Sequence, residues 1–247
     1  MEIVELSKSW MIEFLRYLSS RFTSIWMAVL LLLLMAASWC VSFPQGSIAV
    51  LVDFAIVLPL LLQFRLWDDL CDIERDRRLH PERVLSRSHR LAAFWALLTL
   101  IAILGVILII WQRPTRSVVA LAVLNGVMFV WYSMPQRTKW QTANYHIVLL
   151  KYPTFVFILA NRSGHFWGVL LASAMVGVYL TMCLYEVWHD DHLRSIRGPR
   201  IAAAIETVLL LSVLMFCLGS QFRSANSSRR SSNLPPDMNS HYEGNPQ

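Results

Sequence analysis

The chain has 247 residues, of which 56% are hydrophobic and only 15% charged, well below the charged share of a water-soluble domain. That balance excludes a soluble globular class, and the net charge of +6 falls mainly in short segments between apolar runs, which points to membrane orientation and not to nucleic acid. Cys40, Cys71, Cys183 and Cys217 are scattered with no CxxC pair, so neither a disulfide framework nor a zinc site is indicated.

Residues 1–22 carry Glu2, Glu5, Glu13 and Arg16, and no small-residue cleavage site follows. They are expected to form an interfacial amphipathic segment and not a removed signal peptide. Seven apolar stretches come next, at 22–43, 47–67, 91–111, 117–134, 145–160, 166–188 and 200–219. A helix needs roughly 20 apolar residues to cross a bilayer, so these predict an all-α, polytopic transmembrane helical bundle over 23–220. Pro44-Gln45-Gly46 predicts a tight return between the first two spans. After Phe222 the chain turns to Ser, Asn, Pro and Arg, so 221–247 are expected to be a disordered polar tail. The segment between the second and third spans holds Arg75, Arg77, Arg78, Arg83, Arg87 and Arg90, which assigns it to the cytoplasmic side. In a bacterium the membrane would be the inner, or plasma, membrane.

Chemistry concentrates where the second span ends. Asp68, Asp72 and Asp76 recur every four residues, and on a helix each such step turns a side chain by only about 40° and climbs about 6 Å. Three carboxylates then line one face, where like charges repel unless a cation intervenes. Mg²⁺ meets that need, since it bridges carboxylates to phosphate oxygens. The structural alternative is a solvated helix whose Asp residues pair with Arg65, Arg75 and Arg77. A second acidic pair, Glu186 and Asp190, closes the sixth span on the same predicted membrane face. Two acidic clusters from distant spans can meet across one cavity and hold divalent ions between them.

Other residues carry open alternatives. Trp67, Tyr132, Tyr185 and Trp188 could face a carbocation or simply anchor the membrane interface. Asp53 and Lys151 fall inside spans, where charge usually faces a cavity or a partner. Lys151 could hold a diphosphate oxygen or an acceptor carboxylate, or pair with an acidic residue for structure. Glu206 could line the same space. His146 and His189 have no metal-like partner at helical spacing and read as ordinary polar residues.

At these residues the chain resembles the UbiA superfamily of intramembrane prenyltransferases, the 4-hydroxybenzoate polyprenyltransferase-like enzymes. The family's first motif, (N/D)DxxDxxxD, is matched by Asp68-Asp69-Leu70-Cys71-Asp72-Ile73-Glu74-Arg75-Asp76. Its YSxPxR loop is matched by Tyr132, Ser133, Pro135 and Arg137, and its (D/E)xxxD motif by Glu186 and Asp190. The likeness runs over about 23–218, with seven spans where the family usually has nine. It implies Mg²⁺ held by Asp68, Asp72, Asp76, Glu186 and Asp190, with Asp68, Asp72 and Tyr132 in catalytic roles. Arg83, Arg137, Lys139 and Lys151 would bind substrate. The implied reaction transfers an isoprenyl group from a prenyl diphosphate to a lipophilic acceptor, aromatic or other, at a site facing the cytoplasm and surrounded by membrane lipid. The alternatives are a terpene cyclase of the same superfamily or a non-catalytic prenyl-diphosphate-binding protein.

Overall fold

The computed structural model describes residues 2–135, 137–162, 168–189, 195 and 197–232. Among them every regular element is helical. The helices are α1 (Glu2–Phe22), α2 (Ile25–Val41), α3 (Ser47–Cys71), α4 (Ile73–Leu79), α5 (Val84–Arg87) and α6 (Leu91–Gln112). They continue as α7 (Thr115–Ser133), α8 (Gln141–Leu149), α9 (Lys151–Ala160), α10 (Gly168–His189) and α11 (Arg197–Ser232), with a 3₁₀ turn at Arg137–Lys139.

Five stretches are long and apolar enough to cross a membrane: α3, α6, α7, α10, and Thr142–Ala160, which joins α8 to α9. The pair Trp10–Phe22 and Ile25–Val41 makes a sixth if counted together, but it bends by 69° at Ser24, whose side chain caps α2 by accepting from the Trp26 N–H. The first expected span, 22–43, is therefore 17 residues of α2, about 26 Å of helix and shorter than the hydrocarbon core. The seventh, 200–219, falls on α11, whose side chains are described only in part. So seven expected spans become five or six among the described residues. The chain is an all-α, multi-pass integral membrane protein. Large apolar side chains such as Leu100, Ile110, Val123 and Phe129 point outward, as suits contact with lipid. Helix also runs on to Ser232, into the stretch whose composition suggests a tail.

Two chain features shape the interior. Gly46 takes φ of +87° at the return into α3, a conformation that a side chain would strain. Pro153 has no N–H to offer the Leu149 carbonyl, which accounts for the break between α8 and α9. It sits in the first turn of α9, where proline is tolerated. The main core gathers Ile56, Leu60 and Phe64 of α3 with Phe155 and Leu159 of α9 and Met182 of α10. A smaller cluster joins Tyr17 of α1, Leu66 and Leu70 of α3, and Phe94 and Leu98 of α6. Both cores bear on the last two turns of α3, which fixes where its terminal carboxylates point.

Candidate active site

The aspartate register survives a change of helix. α3 ends at Cys71 and α4 begins at Ile73, yet the Asp72 N–H donates to the Asp68 carbonyl at 3.0 Å, and the Asp76 N–H to the Asp72 carbonyl at 2.9 Å. The i to i−4 ladder thus carries through the joint and keeps Asp68, Asp72 and Asp76 toward one cavity of about 700 Å³. Glu186 of α10 lines the same cavity, and so do Arg83, Tyr132 and Arg137. Asp190, expected beside Glu186, lies outside the described residues.

Each of the three aspartates is met by a cation from elsewhere in the chain. Lys151, at the start of α9, is buried and donates its Nζ to Asp68 Oδ2, while the Tyr132 hydroxyl donates to Asp68 Oδ1. Arg137 donates from Nη2 to Asp72 Oδ1 and to the Cys71 carbonyl, both at 2.6 Å. Its guanidinium lies 5.1 Å from the centre of the Tyr132 ring, a cation–π contact that fixes its plane. Arg83 places Nη1 2.7 Å from both Asp76 oxygens. Burial outweighs the pull of Arg137 and raises the Asp72 carboxyl above its ordinary value.

The pairing expected from nearby arginines goes elsewhere. Arg77 binds Glu74 at 3.2 Å, and Arg65 lies 3.6 Å from Asp69. Asp69 also lines the cavity, but its carboxylate is engaged from α1, where Tyr17 and Arg21 each donate to it at 3.0 Å. Lys139 is exposed on the 3₁₀ turn and is not one of the cavity walls. Of the aromatic candidates, Tyr132 lines the cavity and packs against Trp67 with ring centres 5.5 Å apart. Tyr185 instead stacks on His189 at 5.3 Å, and Trp188 is exposed on the outside of the bundle. Asp53 has no part in the cavity. It is fully buried near the opposite end of α3, held by Trp39 at 2.8 Å, Arg113 at 2.5 Å and Arg162.

Asn144 and Tyr145 of α8 also face the cavity, and sequence reasoning missed both. Their only signal was position, immediately before and at the start of the 145–160 apolar stretch that follows the Arg137 turn.

The donor chemistry suits a hard divalent cation. Asp68, Asp72, Asp76 and Glu186 offer oxygen ligands to one volume, the kind Mg²⁺ prefers. Among the described residues those carboxylates do not close on one point. No family model, curated protein or solved structure matches this chain.

Proposed function

We propose that the chain transfers an isoprenyl group from a prenyl diphosphate to a lipophilic acceptor, aromatic or other, within the membrane and with Mg²⁺ as the metal. The observation that supports this reading is one cavity shared by Asp68, Asp72 and Asp76, by Glu186 from a helix far along the chain, and by Arg83 and Arg137. It agrees with the likeness to the UbiA superfamily in the aspartate motif, the Tyr132 loop and Glu186.

Cleaving the allylic C–O bond leaves negative charge on diphosphate and positive charge on the isoprenyl carbon. Arg83 and Arg137 line the cavity and each hold a carboxylate in the free protein, so each can exchange it for a phosphate oxygen without losing an anionic partner, while Lys151 stays buried behind Asp68. The planar fork of Arg137 suits that exchange, because guanidinium binds phosphate in two-point fashion. Tyr132 positions both sides of the cavity: its hydroxyl holds Asp68 and its ring face holds Arg137. Tyr132, backed by Trp67, offers an aromatic ring to a carbocation, an interaction worth about 2 kcal/mol where water is excluded. When bound by Asp68, Asp72, Asp76 and Glu186, Mg²⁺ would supply the charge that stabilises a departing diphosphate. The arginines of 75–90 orient this end of the bundle toward the cytoplasm.

The full chain in lipid nanodiscs, given Mg²⁺, a labelled prenyl diphosphate and a panel of phenol and alcohol acceptors, should release diphosphate only when metal and acceptor are both present. Asp68→Ala with Asp72→Ala should cut that release at least about a hundredfold in protein that stays monodisperse. Activity surviving in the double variant ends the proposal. Release without acceptor, with a cyclic hydrocarbon formed, assigns a cyclase, and binding with no release assigns a carrier or sensor.

A further inference from the structure

A second cluster lies beside the cavity, on α8 and α10, which also line it, and on α11. His146 of α8, Cys183 of α10 and Glu206 of α11 bring one ligand atom each to within 4.8 Å of one another. We propose that these three side chains bind a transition-metal ion, with Zn²⁺ the best match.

The distances already fit a tetrahedral centre. Bonds of about 2.0–2.3 Å at tetrahedral angles place neighbouring N and O ligands about 3.4 Å apart and neighbouring N and S ligands about 3.6 Å apart. Here His146 Nδ1 lies 3.5 Å from Glu206 Oε1 and 3.7 Å from Cys183 Sγ. The mixed nitrogen, sulfur and oxygen set favours a borderline ion and disfavours Mg²⁺, which avoids thiolate.

Glu206 supplies an independent reason. Its side chain is buried, its Oε1 receives the Tyr145 hydroxyl at 3.4 Å, and its Oε2 is buried with no hydrogen-bond partner. An orphaned buried carboxylate oxygen is costly, and a bound cation removes the cost. Among the described residues the other buried carboxylates, Asp53, Asp69 and Asp76, each have an arginine within 3.0 Å. Glu206 has His146 in that place.

Binding needs two local changes. Cys183 gives its thiol proton to solvent as sulfur becomes a ligand, and Tyr179, now 2.9 Å from His146 Nδ1, releases that nitrogen. Three protein donors leave a fourth position for water or for the freed Tyr179 hydroxyl. The ion would staple α11 to α8 and α10. It would also sit one residue from Tyr145, whose ring centre is 4.1 Å from that of His146 and which lines the cavity. This inference does not depend on the proposed prenyl transfer.

Titration of the chelator-stripped full chain with Co²⁺ tests it. One equivalent should produce a thiolate-to-cobalt charge-transfer band together with the strong visible bands of tetrahedral Co²⁺, and Zn²⁺ should displace both. A variant with Cys40→Ser, Cys71→Ser and Cys217→Ser should keep the signal, whereas Cys183→Ser should abolish the charge-transfer band. Glu206→Gln should weaken Co²⁺ binding at least tenfold. Absence of the charge-transfer band in the wild-type chain overturns the proposal, and so does its survival in Cys183→Ser.

Discussion

Lys151 and Asp68 stand 83 residues apart in the chain and form an ion pair in which Asp68 lines the cavity and Lys151 is buried behind it, with Tyr132 on the second Asp68 oxygen. Burial makes this pair a matter of geometry more than of net stability. Two ions taken out of water lose hydration that their attraction about repays, but removing one partner leaves the other stranded. Lys151→Met should therefore destabilise the protein by about 3–5 kcal/mol. Adding Asp68→Asn should recover a good part of that loss. Thermal unfolding of the four proteins of this cycle in one detergent checks it, and additive losses would show that the pair is not coupled.

Arg83 and Arg137 should bind diphosphate, and Lys139 should not. The first two line the cavity, whereas Lys139 is exposed on the outer side of its turn. Arg137→Lys is a severe change here, because one ammonium cannot reach Asp72 and the Cys71 carbonyl while lying flat on the Tyr132 ring. Calorimetric titration with inorganic diphosphate and Mg²⁺ should show about tenfold weaker binding in Arg83→Gln and in Arg137→Lys, the loss of one charged hydrogen bond. Lys139→Ala should bind as the wild type does. Equal losses in all three would mean that diphosphate meets only a diffuse basic surface.

Much of this arrangement was legible before folding, and the reasons differ by residue. The helical spacing of Asp68, Asp72 and Asp76 depends on local geometry, so it held even across the joint at Asp72. Glu186 was legible because it closes a long apolar stretch. The partner of Asp68 was not, since Lys151 and Tyr132 reach it through packing that no local pattern records. Nor was the bend at Ser24, where a polar cap interrupts a stretch that hydropathy alone runs together. His146 read as an ordinary polar residue because Cys183 and Glu206 stand on two other helices, out of reach of any spacing rule. Lys139 follows Arg137 by two residues on a 3₁₀ turn, yet Arg137 is buried and Lys139 exposed, a difference that adjacency in sequence does not convey.

Asp69 belongs to the aspartate motif by sequence and to the α1 junction by contact. Tyr17, Arg21 and Arg65 all converge on it, and Tyr17 is packed edge-on against Phe94 at 5.9 Å. Asp69→Asn keeps the shape but removes the charge that holds two arginines. The N-terminal helix should then come loose before the bundle does, because local opening tracks the contacts that tie a segment down. Limited proteolysis should cut within 2–22 at least about tenfold faster in Asp69→Asn, the effect of roughly 1.4 kcal/mol in the opening equilibrium. Diphosphate binding should change less than in Arg137→Lys, because Asp69, although at the cavity wall, already has its oxygens taken by Tyr17, Arg21 and Arg65. A variant that keeps α1 protected but loses diphosphate binding would move Asp69 into the cavity's chemistry.

Asp53 makes the contrasting case at the far end of α3, about 22 Å of helix from Asp68. Its carboxylate is wholly buried between Arg113, Arg162 and the Trp39 indole, so a single acid separates two guanidinium groups. Burial lowers the proton affinity of Arg113, which lies between α6 and α7, and Asp53 opposes that effect. Asp53→Asn should cost about 3–5 kcal/mol, because the arginines then face each other across a neutral amide. Adding Arg162→Met should restore part of the loss by removing one of the two like charges. Both variants should still bind Mg²⁺ and diphosphate within about threefold of wild type, since separate sites this far apart act nearly independently. Unfolding midpoints together with diphosphate titration of the same samples separate the outcomes. A loss of diphosphate binding in folded Asp53→Asn protein would couple the two ends of α3.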